Sequence, residues 1–187
     1  MPLEEFLKLI RNFQQQEAKY SELAKKFHKK LPEALKTLVF EHQPELLGQK
    51  EKQEKNITTI AEKYAGEVWE KFNMAYGRQY TKKEVATYKV PKPATKADEE
   101  KKLQNELAGL PKKYHKGYCE IFWETSKQNL AHETFVFAVH AKMKEAFTEI
   151  YLDDVLSLEP VYLRYFNSSL YLLADSFVQD IYDTCNI

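Results

Sequence analysis

The sequence predicts an all-α protein: an irregular bundle of five to eight helices, with no substantial sheet, in a single domain spanning residues 1–187. Three observations carry this. The chain has five glycines in 187 residues, well below the usual ~7%, so few tight turns are on offer for a sheet. Apolar residues recur at intervals of three and four over most of its length, the period of a helix with one buried face. Only residues 84–90 read as a short strand candidate. The length suffices for one hydrophobic core.

The first helix is predicted from Leu3 to Leu31. Phe6, Ile10, Phe13, Tyr20, Ala24, Phe27 and Leu31 fall at heptad spacing, interrupted only by Glu17. One seam row, Phe6, Phe13, Tyr20 and Phe27, is aromatic at every repeat, which suits a broad groove in a bundle better than a tight two-stranded coil. These four are the candidate partner-binding residues, and self-association through the same helix is an alternative use of them. Pro32 is expected to open a second, short helix to about Gln43, because its missing N–H costs nothing in a first turn. Pro44 is expected to open a third.

Residues 48–56 contain no apolar side chain and read as a solvated helical segment or a break. Ile57, Ile60, Tyr64, Val68, Trp69, Phe72 and Tyr76 then restore helical spacing, with Gly77 as the expected cap. The sequence Thr81-Lys82-Lys83-Glu84 resembles a capping box. Val90-Pro91-Lys92-Pro93 forces extended backbone, so 89–97 is the expected exposed connection. A peripheral helix is predicted from about Thr95 or Ala97 to Ala108, with Asp98, Glu99 and Glu100 at its positive end and Gly109 and Pro111 closing it.

From Pro111 to about Val155 the pattern fits one long helix or two with a break near Asn129. The residues expected to be buried are Tyr114, Tyr118, Ile121, Phe122, Phe135, Val136, Val139, Met143, Phe147 and Ile150, and Phe137 adds a second face, which places it in the middle of the bundle. The last helix, after Pro160, carries Leu163, Phe166, Leu170, Leu173, Phe177 and Ile181 on one face. These two C-terminal helices are the expected core.

No leader of charge followed by a compact apolar stretch is seen at the N-terminus, and the longest uncharged run, residues 165–174, is far short of the ~18 needed to span a bilayer. Cys119 and Cys185 make no disulfide framework. A cytoplasmic setting is therefore expected. The formal net charge is zero, but residues 1–116 hold 24 Lys/Arg against 17 Asp/Glu and residues 117–187 hold 4 against 11, or +7 and −7. Such asymmetry arises either from two parts of one fold attracting each other or from a face that meets a charged partner.

The chain lacks the glycine-rich phosphate loops and the nucleophile elbow of the common enzyme classes. His132-Glu133 begins like a zinc-protease motif, yet position 136 is Val. His140 lies two turns on and is rotated by about 80°, so it does not complete the metal pair. His115 and Cys119 share a helix face and are the most reactive pairing in the sequence, but neither two further ligands nor an oxyanion site accompanies them. No metal, cofactor or catalytic residue is assigned.

The basic pairs are Lys25-Lys26, Lys29-Lys30, Lys82-Lys83, Lys101-Lys102 and the Lys112, Lys113, Lys116 group, of which Lys82, Lys83, Lys112, Lys113 and Lys116 are taken as a candidate basic surface. With 25 lysines and 3 arginines, the chain is poor in the residue that reads bases and phosphates in two-pronged fashion. The expected function is thus a non-enzymatic protein-protein interaction module, an adaptor, chaperone-like or regulatory protein binding another protein through a helix face or groove. Two alternatives stand beside it. One is an enzyme with an unfamiliar site around His115 and Cys119, or around His132, Glu133 and His140. The other is a lysine-dependent binder of nucleic acid or of an anionic membrane, on whose surface Leu3, Phe6, Leu7, Ile10 and Phe13 would lie.

Overall fold

The computed structural model of the chain describes residues 3–76, 90–151 and 160–187. Among these there are five α-helices and no strand: α1 (Leu3–His42), α2 (Lys50–Tyr76), α3 (Lys96–Ala108), α4 (His115–Tyr151) and α5 (Pro160–Cys185). Short 3-10 turns at Pro44–Gln49 and Lys112–Tyr114 join α1 to α2 and lead into α4. The all-α reading holds. The capping-box sequence at residues 81–84, the cap at Gly77 and residues 84–89 of the strand candidate lie outside the described residues.

Four of the helices form a ring in which α1 packs on α2 and α4, and α5 packs on those same two. Each neighbouring pair is antiparallel. Phe27 meets Trp69 while Lys36 meets Glu54. Lys30 meets Glu149 while His42 stacks on Phe135. His140 meets Asn167 while His132 meets Asp175. Tyr64 meets Asp180, and Gln43, just ahead of α2, meets Tyr182. It follows that α2 and α4 run in the same direction on opposite corners. The end of α2 and the start of α4 therefore lie at opposite ends of the bundle, as in four-helix bundles with a long crossover.

The core takes in much of the predicted heptad and helical rows, but Tyr114 and Ile121, expected to be buried, are 55% and 68% exposed, because the start of α4 packs on the small peripheral helix α3. Phe27, Leu31, Leu35, Leu38 and Val39 come from α1, Ile57, Ala61, Tyr64, Ala65 and Val68 from α2, Phe135, Val136, Val139 and Met143 from α4, and Leu170, Ala174, Phe177, Val178 and Ile181 from α5, all buried. The core therefore draws on the N-terminal helices as much as on the C-terminal pair. The Tyr64 hydroxyl donates to Asp180 Oδ2 at 2.7 Å, and burial together with that bond pushes its pKa well above the ordinary tyrosine range. Gly66 sits inside α2 with open space where a Cβ would stand. Gly66→Ala is accordingly expected to stabilise the fold by about 0.5–1 kcal/mol, read as a higher urea midpoint at an unchanged m-value.

Two boundaries differ from expectation. Pro32 lies inside α1 and does not start a new helix. An internal proline removes one backbone hydrogen bond and costs a helix about 3 kcal/mol. Here the buried residues on both sides, Phe27, Leu31, Leu35 and Leu38, hold the helix against α2 and α4 through that point. Pro44 opens a 3-10 turn instead of an α-helix, and most of the apolar-free stretch 48–56 is the start of α2. The long C-terminal segment is one helix, without a break at Asn129.

The peripheral helix α3 packs on α4 and is fixed mainly by polar contacts. Thr95 caps it, its hydroxyl accepting from the Asp98 N–H while the Asp98 side chain accepts from the Thr95 N–H. The Thr95 hydroxyl and N–H both donate to the Asp98 carboxylate and hold it below its ordinary pKa. The Ser126 hydroxyl donates to Glu99 and the Tyr118 hydroxyl to Glu106, and Leu103 supplies the buried apolar contact. The extended connection ahead of α3 is tied down by Glu133, whose carboxylate accepts from the Ala94 N–H at 2.9 Å.

Candidate interaction surface

The register of α1 decides what its first turns can do. Phe27 packs against Trp69 at a ring separation of 5.0 Å, so, counting seven residues in opposite directions, Tyr76 at the end of α2 is level with Tyr20. Lys30 pairs with Glu149, so Tyr151 at the end of α4 is level with His28. The segment from Leu3 to Glu17, about 21 Å of helix at 1.5 Å per residue, therefore extends past the ends of both helices that hold the rest of α1. Its side chains show the same thing. Leu3 is 71% exposed, Phe6 49%, Leu7 43% and Ile10 37%, whereas Phe27 is 5% exposed.

These four residues, at i, i+3, i+4 and i+7, form one continuous apolar stripe on a helix. The charges beside the stripe, Glu4, Glu5, Lys8 and Arg11, cancel and stand off it, and Glu17 at the end of the segment leaves the whole at −1. Of the sequence candidates, Phe6 belongs to this exposed stripe. Tyr20 and Phe27 are spent inside the bundle, their rings 5.3 and 5.0 Å from that of Trp69. The side chain of Phe13 lies outside the described residues. The aromatic seam row alone thus mixes two environments. Reading the whole face Leu3, Phe6, Leu7 and Ile10 as a unit is what separates them.

The candidate reactive residues do not converge. His115, His132 and His140 lie on one helix, spread over about 37 Å, and each has its own partner. His115 Nε2 is 2.8 Å from the Leu110 carbonyl oxygen and closes the turn into α4. His132 Nε2 is 3.3 Å from Asp175 Oδ1, while Glu133 holds the Ala94 N–H. His140 is buried against α5 with Nε2 3.0 Å from the Asn167 carbonyl oxygen. Cys119 is a half-buried free thiol. Cys185 is buried, and burial pushes its thiol pKa up, away from reactivity. Among the described residues no three His, Cys, Asp or Glu side chains gather as a metal site would require.

Burial, aided by the charge of Lys144, lowers the His140 pKa from its ordinary 6.5. The neutral ring is what the folded state accommodates, so its contribution to stability is complete above pH 6.5 and is lost as pH falls below that value toward the depressed folded pKa. Thermal unfolding measured between pH 7.5 and 5 is expected to show a falling midpoint whose slope flattens in His140→Gln. Equal slopes would show that the ring is not buried neutral.

The described basic residues are carried on separate elements. Lys112, Lys113 and Lys116 are exposed at the start of α4, with Lys113 stacked over the Tyr114 ring, and Lys101 and Lys102 are exposed on α3. Lys25, Lys26, Lys29 and Lys30 are on α1. Lys82 and Lys83 lie outside the described residues. Two ion pairs, Lys30 with Glu149 and Lys63 with Asp180, join the basic part of the chain to the acidic part, so the charge asymmetry is in part internal. Both pairs are exposed and contribute at most about 1 kcal/mol each. Among the described residues no helix is long and apolar enough to cross a membrane. No protein-family model, curated protein or solved structure matches the chain.

Proposed function

We propose that this protein is a non-enzymatic protein-protein interaction module whose docking surface is the apolar face of the first turns of α1, and that it works in the cytoplasm. The observation that carries the reading is the exposed stripe Leu3, Phe6, Leu7 and Ile10 on a helix segment that extends past its packing partners. An amphipathic helix of a partner would bury these residues much as the bundle buries Phe27 and Leu31 further along the same heptad face. The segment's two basic and three acidic residues favour a protein surface over an anionic membrane, which would select a basic polar face. The unpaired thiols fit a reducing compartment.

The test is capture from lysate by the wild-type chain and by the double variant Phe6→Asp, Ile10→Asp, washed at low and high salt. The wild type is expected to retain a protein partner through high salt and the variant to lose it. The variant's unfolding midpoint should move little, since both side chains lie outside the core. Identical capture by the two chains would overturn the proposal. So would recovery only of nucleic acid or lipid that washes off with salt.

A further inference from the structure

We infer that the occupant of the α1 stripe is a second copy of this chain, paired antiparallel about a two-fold axis near Ile10. The inference rests on the docking surface proposed above and adds the identity and orientation of the partner.

The heptad positions make the segment self-compatible. With Leu3, Ile10 and Glu17 at one seam position and Phe6 and Phe13 at the other, the flanking positions are Leu7, Leu9, Gln14 and Gln16, all uncharged. In paired helices the flanking positions face each other, and like charges there are the usual barrier to a helix meeting its own copy. This segment has none. Apart from Glu17 in the seam, its charges, Glu4, Glu5, Lys8 and Arg11, occupy the three outward positions.

Orientation follows from Glu17 and from the bundle. In a parallel pair the two Glu17 carboxylates would meet each other in the seam, and the bundles would stand side by side. They could not extend the coil further, because Phe27 and Leu31, with Tyr20 and Ala24 packed beside them, already fill the core of their own bundle. In an antiparallel pair centred on Ile10, each Glu17 lies level with Leu3 of the other copy. It then meets the positive end of that copy's helix, where a carboxylate is favoured. The two bundles sit at opposite ends and do not obstruct each other. The arrangement is isologous, so one patch serves both copies and no second surface is required.

Sedimentation velocity across protein concentrations from low micromolar to submillimolar tests this on the full chain. A monomer–dimer equilibrium is expected, with Ile10→Glu weakening it by about 100-fold or more because the substitution enters the pair twice at the axis. Orientation is read by oxidative crosslinking in a Cys119→Ser, Cys185→Ala background. Mixing Leu3→Cys with Glu17→Cys chains should give the mixed crosslinked dimer, and Leu3→Cys alone should not crosslink.

Crosslinking of Leu3→Cys to itself would overturn the antiparallel pairing, and so would a dimer that Ile10→Glu leaves intact. A chain that stays monomeric while its stripe still captures another protein would overturn the second copy as occupant but leave the docking surface standing. A chain that stays monomeric and captures nothing would overturn both.

Discussion

Replacing Phe177 by alanine is expected to cost the fold about 3–5 kcal/mol, a large share of the usual stability of a folded protein. Phe177 is fully buried, its ring edge-on to Tyr64 at 5.5 Å, at the contact where α5 closes the ring of four helices against α2. Truncation removes the transfer energy of the ring and leaves a void bounded by Tyr64 and its neighbours. The hydroxyl of Tyr64 is held by Asp180, so the tyrosine cannot swing in to fill the space. Urea denaturation should show a large fall in midpoint at a constant m-value. Leu172→Ala on the same helix, at a residue 64% exposed, should change stability by less than about 0.5 kcal/mol. Similar losses in the two variants would mean that α5 is not seated on α2 as described.

Much of this architecture is legible in the sequence, because a helix bundle writes its core as periodicity. The large buried residues of α2, α4 and α5 are mostly readable from their spacing of three and four, but the same spacing also picked out the exposed Ile121 and passed over the buried Ala61, Ala65 and Ala174. Thr95 and Asp98 marked the start of α3, and the Val90–Pro93 stretch marked the connection before it. Pro32 misled for a physical reason: local propensity says that a proline begins a helix, but tertiary burial on both sides of it outweighed the lost hydrogen bond. The polar run after Gly48 offered no apolar period to read, yet it forms the first turns of α2.

The candidate surface was half legible. Heptad spacing shows which face of α1 is apolar, but not which heptads meet the rest of the chain. The fate of Phe6 and the fate of Phe27 therefore look the same until the ends of α2 and α4 are placed. In retrospect Glu17 is the signal. It is the one charged residue in the seam, and it stands where the buried part of α1 gives way to the exposed part. The histidines of α4 suggested chemistry because they were read as a set. One continuous helix instead keeps them apart and gives each a structural partner.

Amide hydrogen exchange along α1, followed in protein dilute enough to keep copies apart, tests most directly the claim that the apolar stripe is left uncovered by the described residues of the chain. Amides deep in the packed part, such as those of Leu35 and Val39, open only with the whole bundle. Those from Leu7 to Glu17 belong to a helix segment with little tertiary support, which in water is marginal on its own. The account predicts that residues 7–17 exchange at least about a hundredfold faster than residues 31–39, with the change falling near Tyr20. Uniform slow exchange through both halves of α1 would contradict it, because it would mean that the chain itself covers Leu7 and Ile10 and leaves no docking face.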